Sequence, residues 1–189
     1  MIRYSCTLIL ALVMSLTAFG HTKPNKITAT PVHQDFTLTL GEQTFDPLHM
    51  QDQLPTDWAV ANQEGNDLRL VQFDGPIQEQ WVNSLVDHGL TPIQYIHPFT
   101  YITWGHASER DAVTTLPHVR WSGDFLNGYK VLPKNRNLGS APIETQLLMY
   151  RGVDTERTIE QLRQIGASRI DHTIIDSRFE VISFISAGS

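Results

Sequence analysis

LRLVQFDGPIQEQWVNSLVDHG, Leu68–Gly89, is the stretch whose reading decides the fold. LRLVQF (Leu68–Phe73) has the composition of a strand, and Asp74-Gly75-Pro76 is turn chemistry. From Ile77 to His88 the period changes. Ile77, Trp81, Val82, Leu85 and Val86 recur at helical spacing, and Gly89 stands where a helix C-terminal glycine belongs. A strand followed by an amphipathic helix implies one layer of helix packed on a sheet.

Toward the C-terminus, TPIQYIHP and FTYITWG read as two further strands with His97-Pro98 at the turn between them. A short helix fits from about Ser108, where Ser108 and Asp111 have capping-box spacing, to Leu116, and Pro117 ends it. HVRWSG then supplies a fourth strand. The order β-α-β-β-α-β is that of the split βαβ or ferredoxin-like unit.

The same beginning recurs. TQLLMY (Thr145–Tyr150) answers LRLVQF, and Gly152 and Gly166 stand 77 positions after Gly75 and Gly89. Under that offset Ile159 and Leu162 fall on Val82 and Leu85, SRIDHTII follows as the second strand, and FEVISF (Phe179–Phe184) resembles FTYITW (Phe99–Trp104) at an offset of 80. A hairpin three residues longer accounts for the change, which loops tolerate. Common spacing across strand, turn, helix and strand indicates a duplication. The second copy stops at ISAGS, where the first has WGHAS and is about to enter its second helix. The expected fold class is α+β: tandem ferredoxin-like (βαββαβ) units, the second incomplete (βαββ), with a sheet edge left open. The expected organisation is a signal peptide at 1–20, a polar N-terminal extension at 21–67, the first unit with an extended tail at 68–133, a linker at 134–143 and the truncated unit at 144–189.

The first twenty residues have Arg3, an apolar run from Leu8 to Val13 and small residues at Ala18 and Gly20, the layout of a secretory signal cut after Gly20. The protein is therefore expected to be secreted, extracellular or periplasmic, with no membrane association after cleavage. The one cysteine, Cys6, lies inside that segment, so no disulfide is expected. A net charge of −6 without Lys/Arg clusters argues against a nucleic-acid partner.

Chemistry-bearing patterns are sparse. There is no Gly-x-Ser-x-Gly and no His-Glu-x-x-His, and GHAS (Gly105–Ser108) reads as a capping serine beside a surface histidine. His97, His106 and His118 are too widely spaced for a structural zinc site, and Asp74, Glu79, Asp87, Asp111 and Asp124 show no pairing, so no metal or other cofactor is expected. Aromatics are more suggestive. Trp81 belongs in the core, whereas Tyr95, Phe99, Tyr101, Trp104 and Trp121 alternate along strands of a sheet with one face free of helices, and an exposed aromatic face marks a binding surface.

TLTLGEQTFDPL (Thr37–Leu48), LRLVQFDGPIQEQWVNSL with tryptophan five residues after the proline, and LPHVRWSG with a tail ending in GYKVLP together resemble the N-terminal region of secreted bacterial subtilisin-like serine peptidases. In that family the region precedes the catalytic domain and is similar to the inhibitor-type, ferredoxin-like propeptides. The family's Asp, His-Gly-Thr-His and Gly-Thr-Ser-Met motifs do not occur here, so no catalytic residue carries over. The resemblance implies a non-catalytic propeptide-like module, a fragment of a larger peptidase architecture, whose partner is a subtilisin-like protease domain. It also implies that the tail Gly123–Pro133 runs extended toward the protease cleft. The expected protein-binding residues are then Tyr101, Trp104 and Trp121 on the sheet and Phe125, Tyr129 and Lys130 on the tail. The alternative is a free-standing secreted protease inhibitor or ligand-binding module working through the open sheet face.

Overall fold

The computed structural model describes residues 34–49, 54–61, 64–132, 135, 139, 141–151 and 154–186, all of them within the unit Gln34–Ser189. The expected signal at 1–20, the residues Pro133 and Gly152, and part of the expected linker lie outside the described residues. The protein is α+β, and its described residues are mostly sheet with four α-helices.

The chain's first sheet is organised around β3 (Asn66–Phe73), which is hydrogen-bonded on both edges. On one side it pairs with β5 (Thr100–His106) and on the other with β6 (Val119–Asp124); β4 (Thr91–Ile96) closes the far edge of β5. The order is β4-β5-β3-β6, antiparallel throughout. The β4–β5 turn falls at His97-Pro98, as the sequence suggested, and the peptide bond there is cis.

Helices α1 (Glu79–Asp87) and α2 (Ala107–Ala112), the latter continued by a 3₁₀ turn at Val113–Thr115, cover one face. Val71 and Phe73 from β3 meet Trp81 and Leu85 from α1, with Leu90 and Val113 completing that core. Helix α1 starts two residues later than its periodicity suggests, and Val86, expected on the apolar face, is 55% exposed. The helix is short enough that Trp81 and Leu85, one turn apart, make its whole buried stripe. Gly89 has φ +86°, and a Cβ there would come within 2.7 Å of the Glu109 carboxyl. That carboxyl accepts the amide of His106 at 2.8 Å. The α2 N-cap is thus His106 with Glu109 at the third helical position, two residues before the Ser108/Asp111 box expected from sequence. Behind α2, Asp124 accepts from Arg69 at 2.9 Å and lies 3.5 Å from Arg110, tying helix, β3 and β6 together.

The opposite face is covered by the chain itself. Strands β1 (Leu38–Leu40) and β2 (Gln43–Phe45) form a hairpin whose two-residue loop opens with Gly41 at φ +62°. Leu40 and Phe45 pack on Leu70 of β3, joined by Ile96, Ile102, Trp121, Phe125 and Tyr129. Arg120 anchors the hairpin. Its guanidinium donates to Asp46 at 2.9 and 3.0 Å and to the Gln72 Oε1 at 2.7 Å, and lies 4.1 Å from the centre of the Phe36 ring. Gln72 is fully buried and satisfied at both ends, since its Nε2 donates to the Phe36 carbonyl at 3.0 Å. The segment expected to be a polar extension therefore includes a hairpin of the fold.

A three-stranded sheet follows, with β7 (Ile143–Tyr150), α4 (Thr155–Gln164), β8 (Ser168–Ile174) and β9 (Phe179–Ser186) in strand order β7-β9-β8. Its core is Met149, Ile159, Leu162, Ile182 and Phe184. Asp154 caps α4 by accepting the Arg157 amide at 3.0 Å. Gly166 ends it at φ +87°, the counterpart of Gly89. Glu180, buried beneath α4, accepts from the Thr155 hydroxyl and lies 2.9 Å from the His172 Nε2.

Candidate protein-binding cleft

The six side chains expected to form one binding surface separate into three groups. Tyr101 stands opposite Val71 in register and so lies on the helix side, packed against the first core and edge-on to Tyr95 at 5.7 Å. It is not on the helix-free face. The reason is parity: side chains alternate along a strand, so Tyr101 and Trp104, an odd number of residues apart on β5, point to opposite faces.

Trp121, Phe125 and Tyr129 do lie on that face but are spent internally. Tyr129 stacks on Phe45 at 6.2 Å and meets Phe125 edge-on at 5.7 Å. The tail expected to run extended instead turns after β6 into α3 (Asn127–Lys130), whose amides reach back to the loop before β3: Asn127 N–H donates to the Val60 carbonyl and Gly128 N–H to that of Trp58. Gly128 packs so closely that a Cβ would meet Leu54 at 2.7 Å. Phe125, just before α3, and Tyr129, within it, both reach the same apolar hairpin, and burying them outweighs leaving them in water.

Trp104 and Lys130 remain, and they come together at a cleft of about 480 Å³. One wall is the helix-free face of the first sheet beside the hairpin, at Leu68, Ile102 and Trp104; the other is β7, from Leu147 through Tyr150. The Trp104 and Tyr150 rings close on each other at 4.9 Å between centroids. At the rim the Lys130 ammonium donates to both Asp67 oxygens, at 3.0 and 3.2 Å. The β7 wall was not anticipated. Its signal was the unbroken apolar run Leu147-Leu148-Met149 in a strand, where a half-buried strand would alternate.

Electrostatic perturbation lies elsewhere. At Glu180 the Thr155 hydroxyl is the largest influence and lowers the carboxyl pKa; burial opposes it, and His172 reinforces it, leaving the group below the usual carboxylate range. At Asp46 burial pushes upward most strongly, but hydrogen bonds from His49, the Leu48 amide and Arg120 together outweigh it. Both sites hold the fold rather than line the cleft. Among the described residues no group of three or more His, Cys, Asp or Glu could hold a metal ion, and no helix is long and apolar enough to cross a membrane.

A family model described as a domain of unknown function (DUF8729) matches residues 39–126. The matched span opens in β1 and closes just beyond β6, so it takes in the hairpin together with the first sheet. No curated protein and no solved structure matches the chain.

Proposed function

We propose that this chain is a secreted, non-catalytic binding module of the propeptide type, acting on a subtilisin-like serine protease domain by assisting its folding or blocking its cleft. The observation that carries the reading is the strand order. A four-stranded sheet ordered β4-β5-β3-β6 with both helices on one face is consistent with a ferredoxin-like unit, and β7-β9-β8 repeats three of its four positions. The motifs that carry the resemblance fall on the hairpin, on β3 with α1, and on β6 with its tail. Because the tail folds back through Phe125 and Tyr129, contact with a protease falls to surfaces other than an extended tail. The cleft favours the second reading, a free-standing inhibitor or ligand-binding module, since its size is that of an ordinary ligand pocket, about 300–1,000 Å³.

Adding the purified protein to a subtilisin-like protease should slow hydrolysis of a chromogenic peptide stoichiometrically, and the two should co-elute. Undiminished activity at large molar excess, with no co-elution, overturns the protease partner. A fluorophosphonate probe should label the protease and leave this chain unlabelled; stoichiometric labelling of one of its serines overturns the non-catalytic assignment. Export is tested by intact mass, which should begin at His21.

A further inference from the structure

Among the described residues, strand β7 is an edge of its sheet, hydrogen-bonded to β9 and to no other strand. Four consecutive β7 residues, Leu147 through Tyr150, line the cleft. Successive side chains on a strand point to opposite faces, so a cavity touched by four in a row runs along the strand's edge, where backbone N–H and C=O groups point outward. The facing wall presents the apolar Leu68, Ile93, Ile102 and Trp104, with the uncharged Asn66 and Gln94 beside them. Along the edge, four residues span about 13 Å at roughly 3.3 Å each.

We propose that this slot binds an extended, uncharged apolar peptide segment of a partner protein, which adds to β7 as a further antiparallel or parallel strand and lays alternate side chains against Leu68, Ile102 and Trp104. Charge complementarity selects the occupant. The charged groups of the lining are Asp67 and Lys130, which neutralise each other at 3.0 Å, so the slot offers no field to a charged side chain and a desolvation penalty to any that enters. Backbone pairing supplies affinity, and the Trp104 wall supplies selection for large apolar side chains, the division of labour of strand addition. The site does not depend on the protease partner, and its test contains no protease, so failure of either reading leaves the other standing.

The test titrates the full chain, by intrinsic tryptophan fluorescence and by hydrogen exchange, with acetyl-Val-Thr-Val-Thr-Val-amide. Binding should saturate and should slow exchange of β7 amides without changing those of β3. The same peptide N-methylated at alternate residues should bind at least about tenfold more weakly, equivalent to about 1.4 kcal/mol. Leu148→Lys puts a charge at a position already 63% exposed, which should spare folding and weaken the unmodified peptide similarly. An acidic analogue, acetyl-Val-Glu-Val-Glu-Val-amide, should not bind detectably. No saturation with the first peptide, equal affinity for the methylated one, or equal affinity for the acidic one overturns the proposal. Protection of β7 that rises with protein concentration in the absence of peptide also overturns it, since the occupant would then be a second copy of this chain.

Discussion

Strands β3 and β7 occupy the same place in two similar runs of strand, helix, strand and strand, and both are apolar, yet they live differently. β3 has a strand on each edge, helices on one face and the β1–β2 hairpin on the other; Leu70, Val71 and Phe73 are fully buried. Among the described residues β7 has one neighbouring strand and one helix; Met149 is its buried side chain, while Leu148 is 63% exposed. What sets burial is the number of neighbours an element has, not its own apolarity. The second sheet compensates with polar chemistry: an Asp154 cap on α4, where α1 has no side-chain cap, and a buried glutamate joining α4, β8 and β9.

The largest contrast should come from truncating one large apolar residue on each strand. Phe73→Ala should cost about 3–5 kcal/mol in chemical denaturation, from lost burial and the cavity left against Trp81, whereas Leu148→Ala should stay within about 0.5 kcal/mol. Equal costs would break the comparison. Hydrogen exchange would localise it: amides in Leu68–Phe73 should be better protected than those in Phe179–Phe184, which belong to the smaller sheet.

Next in size is the acid response of the second sheet. The Glu180 carboxyl is depressed in the folded state, so its contribution is fully present above its ordinary value of 4.5 and is lost as pH falls through the lower folded value. Glu180→Gln should lower stability by about 1.5–3 kcal/mol at neutral pH and flatten the acid limb followed by exchange in β9. An acid limb unchanged in the variant would assign that loss to other groups.

A smaller effect, about 1 kcal/mol, is expected for Asp46→Asn, because Arg120 keeps Gln72 and the Phe36 ring when one partner weakens. The sign of its pH dependence is the same, since the Asp46 carboxyl is also depressed, with loss beginning as pH falls below its ordinary 3.8. Detachment of the hairpin, seen as lost protection at Leu38–Leu40 while β3 stays protected, would show that the Asp46–Arg120 pair, and not the packing of Leu40 and Phe45, holds it.

Much of the strand and helix order was legible because it is written at short range. The change of period after Phe73, the turn at His97-Pro98, and the glycines at 89 and 166 with their positive φ each depend on residues within one turn or one hairpin. The cap of α2 slipped because a serine is the usual capping residue, whereas here the His106 amide found Glu109. The candidate surface was legible only in part. Trp104 and Lys130 do reach one cleft, but Tyr101 lies on the helix side, and Trp121, Phe125 and Tyr129 pack on the hairpin core instead of standing exposed. Their partners, Leu40 and Phe45, lie some eighty residues upstream, beyond the reach of any local pattern.

By itself, the amino-acid order determined the strands and helices of the two sheets, though neither the β1–β2 pairing nor α3, since backbone period and turn chemistry are local properties of the chain. Which sheet face stays open was decided only when the chain closed on itself. The hairpin and Tyr129 cover Leu70, leaving Trp104 to face the bare edge of β7, because apolar surface is buried by whichever segment can reach it, and that reach exists only in three dimensions.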